Sequence, residues 1–106
     1  MVSVAEVSRQ IAVAEDKVKL ADAVSRLRTN RDFITVFSNH IFKDKILDLV
    51  NEIHMYPSDS VEHTDTVKQL EAISTTESYL DELIDKGQSA QREISSAMSI
   101  PDSELD

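Results

Sequence analysis

A single glycine and two prolines occur among the 106 residues of this chain, and this scarcity limits the folds open to it. Glycine is the residue that adopts left-handed backbone without strain, and proline is the strongest interruption of a helix. Soluble proteins average about 7% glycine and 5% proline. Sheets with tight turns, and loops that cradle phosphate, need more glycine than one residue can supply. The sequence therefore predicts an all-α protein, either an elongated antiparallel helical hairpin or a three-helix bundle with long first and last helices.

Cap and turn residues divide the chain into three predicted helices. Asn30 is a good N-cap for the second helix, and Pro57 interrupts the chain before the third, where Asp59 or Ser60 supplies the cap. The middle segment is either one helix bent near residue 43 or two short helices, with Asp44 capping the second. We expect a single domain over residues 1–99, with helices at 3–28, 31–55 and 60–98, followed by an acidic tail at 100–106.

Apolar residues recur at three- and four-residue steps, which is the spacing of a helix that packs along another helix. The predicted packing seam consists of Val7, Ile11, Val18, Phe33, Phe37, Ile41, Leu80, Ile84, Gly87 and Ile94. A second apolar line beside the seam of the first helix contains Val13, Leu20, Val24 and Leu27. Two long helices have more apolar seam than a chain of this size can bury, so we expect coiled-coil-like packing into a homo-oligomer or a larger assembly.

Four residues in or beside the seam have specific expected roles. Gly87 either ends a helix as a C-cap or allows another helix to approach closely, and the uninterrupted apolar register on both sides favours the close approach. Phe33 and Phe37 are bulky and are expected to anchor the core. His40 lies beside them in the sequence and is expected to be partly buried at the edge of the core.

The chain is acidic, with 20 Asp and Glu residues against 11 Lys and Arg residues and a formal charge of −9. Such a chain repels phosphate backbones and anionic membranes, so we expect protein partners rather than nucleic acid or membrane. A possible partner-facing acidic stripe contains Asp48, Glu52, Asp81, Glu82 and Asp85. A solvated helix surface is the simpler interpretation of these charges. The N-terminus lacks the pattern of a secretion signal.

No pattern of catalytic residues is present in the sequence. His40, His54 and His63 match no metal-ligand spacing such as His-Glu-x-x-His, and surface or cap positions explain all three. Cysteine is absent, and no catalytic triad, phosphate loop or dinucleotide-binding fingerprint occurs. We therefore expect a protein that is not an enzyme and that needs no cofactor or metal.

Two stretches of the sequence resemble small helical proteins of tailed bacteriophages. Residues 27–50 contain Asn30-Arg31-Asp32-Phe33 and then His40-Ile41-Phe42-Lys43-Asp44-Lys45 before Leu47, and residues 70–94 contain Leu70-Glu71-Ala72-Ile73, Tyr79-Leu80 and Gly87-Gln88-Ser89-Ala90. These proteins have no assigned activity, so no functional residue carries over. The resemblance implies a phage protein found in the virion or in the cytoplasm of the infected host. Its role would be that of a structural virion component, or of an early protein that binds and inhibits host nucleic-acid-handling machinery.

Overall fold

The computed structural model describes residues 3–98. Over these residues the chain consists of helices and the turns between them, and the predicted all-α fold is confirmed. The acidic tail predicted for residues 100–106 lies outside the described residues. The elements are α1 (Val4–Thr29), α2 (Arg31–Phe33), a π-helix (Ile34–Asp44), α3 (Lys45–Ile53) and α4 (Val61–Met98).

Short hydrogen bonds from side chain to backbone mark the starts of the helices. Ser3 Oγ accepts from the backbone N–H of Glu6 at 3.1 Å before α1, and Asn30 Oδ1 accepts from the N–H of Phe33 at 3.0 Å before α2. Ser60, rather than Asp59, caps α4, because its Oγ accepts from the N–H of His63 at 3.1 Å. Each bond satisfies a backbone donor that has no partner within the first turn of its helix.

The middle segment is helical from Arg31 to Ile53, and it changes its hydrogen-bonding pattern instead of breaking. The π-helix is bounded by residues in ordinary right-handed helical conformation, and the N–H of Lys45 donates to the carbonyl of His40, five residues earlier. Asp44 is itself in helical conformation, and its side chain makes no capping hydrogen bond. The alternative of two short helices, with Asp44 capping the second, is therefore wrong.

The spacing of three phenylalanines fits this wider helix. Phe33, Phe37 and Phe42 follow at steps of four and five residues, which suits a ladder with more residues per turn than the α-helix. The rings of Phe33 and Phe37 stack with centroids 4.9 Å apart, and Phe42 follows Phe37 at 5.9 Å in a tilted arrangement. In a regular α-helix, nine residues would place Phe42 on the side opposite Phe33. The wider turn therefore keeps all three rings in one column.

The chain divides into two compact units, each with its own buried residues. Of the described residues, the first unit contains 3–26 and 81–98, and the second contains Leu27–Leu80. In the first unit, Ala14, Ala90 and Ile94 form a buried cluster with Ile11 and Val18 packed against it. In the second unit, Phe33 and Leu49 are buried, and Leu49 is fully enclosed.

Candidate interaction surfaces

The first unit is built where the early part of α1 packs against the late part of α4. Val7 and Ile94 of the predicted seam are buried there, and Ile11, Val18 and Ile84 are half-buried. The two helix segments run antiparallel, because residues near the start of α1 contact residues near the end of α4. Small side chains, Ala14 and Ala90, occupy the most enclosed positions of this contact.

Gly87 lies at a close approach of the two segments. A methyl group added to Gly87 would overlap the Cβ of Ala21 and would lie 3.4 Å from the carbonyl oxygen of Lys17. No described glycine has a positive φ angle, and α4 continues through Gly87 to Met98. Gly87 is therefore a contact residue inside a helix, not the left-handed residue of a helix end.

The seam residues of the second unit are covered to different degrees. Phe33 is 8% exposed, whereas Phe37, expected to anchor the core, is 37% exposed. Ile41 and Leu80 are half-buried. His40, expected to be partly buried, is exposed, because the π-helix places it outside the column of rings.

Leu49 is the most enclosed large side chain of the described residues, and it was not among the predicted seam residues. The signal was present in the sequence, since Ile46, Leu49 and Ile53 follow one another at helical spacing on one side of α3. Neighbouring Leu47 and Val50 are 56% and 41% exposed. Because Leu47 and Val50 are apolar as well, the spacing alone does not identify which residues of α3 face inward.

The second apolar line of α1 is largely uncovered. Val24 is buried, but Val13 and Leu20 are 51% and 48% exposed in the first unit, and Leu27 is 44% exposed in the second. Side chains of this size on a helix surface are candidates for contact with another protein when they share one side of the helix.

The five residues of the predicted acidic stripe belong to different units. Asp48 is exposed and Glu52 is half-buried on α3, in the second unit. Asp81, Glu82 and Asp85 are exposed on α4, in the first unit. Over its full length, α4 carries eight acidic and three basic residues.

An open groove of about 840 Å³ lies in the first unit beside Ile11, Ile94 and Ala97. Its polar lining includes Arg92, whose Nη2 donates to Ser89 Oγ at 3.1 Å. Among the residues that the structure describes, no group of three or more His, Asp or Glu side chains is arranged to hold a metal ion. None of the described helices is both long and apolar enough to cross a membrane.

Comparisons with family models, with curated proteins and with solved structures give no match to this chain.

Proposed function

We propose that this chain is a non-catalytic structural or assembly protein of a bacteriophage particle, which acts through helix–helix packing in an oligomer. The observation that carries the proposal is the large apolar surface left on the helices. Val13 and Leu20 in the first unit, and Leu47 and Val50 in the second, are each at least 41% exposed. Exposed apolar residues that share one face of a helix mark candidate sites of contact with another chain.

The proposed phage origin depends on the resemblance of residues 27–50 and 70–94 to small helical proteins of tailed bacteriophages. Helical proteins that assemble need neither a pocket nor a cofactor, and the described surfaces offer helix faces. The proposal places the chain in the virion, among other virion proteins or copies of itself.

Mass spectrometry of purified particles tests this function. We expect copies of the chain at a constant ratio to the major capsid protein across independent preparations. The lysate of infected cells is the control, because it shows that the chain is expressed and detectable. Particles that lack the chain while the lysate contains it would contradict a virion role.

A second candidate function is an acidic inhibitor of a host enzyme that handles nucleic acid. The exposed carboxylates Glu82 and Asp85, on a helix with eight acidic and three basic residues, favour it, because a basic groove built for phosphate attracts such a surface. Binding should weaken as salt rises. It should also be lost on charge reversal at Asp81, Glu82 and Asp85. Binding that is indifferent to salt and to these substitutions would exclude this candidate.

A further inference from the structure

One exposed side of α1 combines apolar and charged residues in a short pattern. Val13 and Leu20 are 51% and 48% exposed and are separated by seven residues, so they lie on the same side of the helix two turns apart. Asp16 and Lys17 lie between them and are both exposed. We name these four residues, Val13, Asp16, Lys17 and Leu20, the α1 stripe.

The α1 stripe points away from the packing of the first unit. Ala14 and Ala21 mark the side of α1 that contacts α4, and both are buried. At about 100° per residue, the line through Val13 and Leu20 lies roughly a quarter turn or more from that side. The contact that builds the unit therefore leaves Val13 and Leu20 uncovered, although Val24, further along the same line, is buried.

The order of the charges distinguishes the ways in which two copies of the stripe can meet. In a parallel pair, Asp16 would lie nearest Asp16 of the partner subunit, and the two Lys17 side chains would also meet, so like charges would repel. In an antiparallel pair centred between residues 16 and 17, Asp16 lies opposite Lys17 of the partner subunit. The two-fold axis repeats this pair, so two ion pairs form.

The same antiparallel alignment joins the apolar residues. Val13 meets Leu20 of the partner subunit on one side of the charged pairs, and the symmetric contact forms on the other side. All four residues then lie opposite complementary residues of an identical chain, which is the requirement for a closed two-fold interface.

We propose that the α1 stripe is the contact surface of an antiparallel α1–α1 homodimer. This inference deepens the helix-mediated assembly proposed above and rests on it, because it names a second copy of the chain as the partner and gives the orientation.

A charge-exchange cycle on the full chain tests the ion pairs. Asp16→Lys alone and Lys17→Asp alone each turn both attractive pairs into repulsive ones, so each should raise the dimer dissociation constant about tenfold or more at low salt. The double variant Asp16→Lys/Lys17→Asp restores two opposite-charge pairs and should dimerise like the natural chain. Sedimentation velocity over a dilution series measures all four proteins. A double variant no better than the single variants would overturn the proposed alignment.

The apolar contacts have a matched control on the same helix. Val13→Ser and Leu20→Ser should each weaken the dimer at least tenfold. Val4 has the same 51% exposure as Val13 but lies nine residues away, on the opposite side of α1. Val4→Ser should therefore leave the dissociation constant unchanged. Equal effects of Val4→Ser and Val13→Ser would contradict the assigned surface.

Cysteine cross-linking reads the orientation directly, because the natural chain contains no cysteine. Val13→Cys mixed with Leu20→Cys should oxidise mainly to the mixed disulfide, since the antiparallel alignment brings those two positions together. Predominant disulfides between identical positions would indicate a parallel pair and overturn the proposal.

These results are separable from those that test the virion role. A chain that remains monomeric up to about 1 mM contradicts the α1–α1 dimer, even when purified particles contain the chain. A dimer with the predicted charge dependence supports the inference, even when particles lack it.

Discussion

The close approach at Gly87 predicts that the smallest possible enlargement of this residue destabilises the protein. Within an ordinary exposed helix, Gly→Ala stabilises by about 1 kcal/mol, because alanine is the better helix former. At Gly87 the added methyl group would overlap Ala21 Cβ, which belongs to a short, rigid side chain that cannot rotate away. Overpacking of this kind costs about 1–3 kcal/mol. Because the contact with Ala21 Cβ is severe, we take an overpacking cost of about 2–3 kcal/mol. After the propensity gain of about 1 kcal/mol is subtracted, Gly87→Ala should lower the free energy of unfolding by about 1–2 kcal/mol.

A double-mutant cycle separates the steric effect from helix propensity. Ala21→Gly removes the opposing methyl group and should cost about 1 kcal/mol through propensity. The double variant Ala21→Gly/Gly87→Ala exchanges the two residues across the contact, so its free energy of unfolding should lie close to that of the natural chain. The coupling between the two sites is then about 2–3 kcal/mol, within the range seen for residues in direct contact.

Urea denaturation followed by far-UV circular dichroism measures the cycle, at one fixed protein concentration because association would shift the apparent stability. Ala12→Gly is the matched control, since Ala12 is exposed on the same helix and reports the propensity cost alone. Stabilisation by Gly87→Ala, or additive effects in the double variant, would refute the close-contact explanation.

Three further substitutions test the second unit and the helix caps. Leu49→Ala should lower the free energy of unfolding by about 2–5 kcal/mol, because Leu49 is fully enclosed. Leu47 is 56% exposed, so Leu47→Ala should change the free energy of unfolding by less than about 1 kcal/mol. Thermal denaturation of both variants measures the difference. Asn30→Ala should lower the free energy of unfolding by about 1 kcal/mol, because it removes the hydrogen bond that caps α2. The control Asn51→Ala, at an exposed position within α3, should lower it by less. Equal decreases measured by urea denaturation would argue against the cap. Ser60→Ala removes both its bond to the N–H at the start of α4 and its 2.7 Å bond to a turn carbonyl, so amide hydrogen exchange in the first turn of α4 should accelerate; unchanged exchange would contradict this role.

Several features of the structure follow from local sequence. The cap at Asn30 and the turn around Pro57 depend on residues within three or four positions of one another, so the sequence contains the partners. The helical class also follows, because one glycine and two prolines leave few places where the chain can turn.

Which apolar residues are covered depends on contacts between distant parts of the chain. The seam and the second line of α1 have similar spacing, yet Val7 of the seam is buried while Val13 of the second line is 51% exposed. Burial depends on residues such as Ala90 that are distant in the sequence, and a periodic pattern does not identify which partner a face will meet. For the same reason, the exposure of the α1 stripe depends on α4 covering the other side of α1 in the first unit, which the sequence does not show.

From sequence alone it follows that this protein is helical, that its chain turns around Pro57 and that Asn30 caps a helix, because those properties depend on near neighbours. The choice between Asp59 and Ser60 as the cap of α4 was left to the structure. Only the tertiary structure showed the π-helix that aligns Phe33, Phe37 and Phe42 and the contact between Gly87 and Ala21. The contact depends on how closely two distant segments approach. The π-helix forms when backbone hydrogen bonds join residues five apart instead of four apart. An apolar pattern with α-helical periodicity does not distinguish these two patterns.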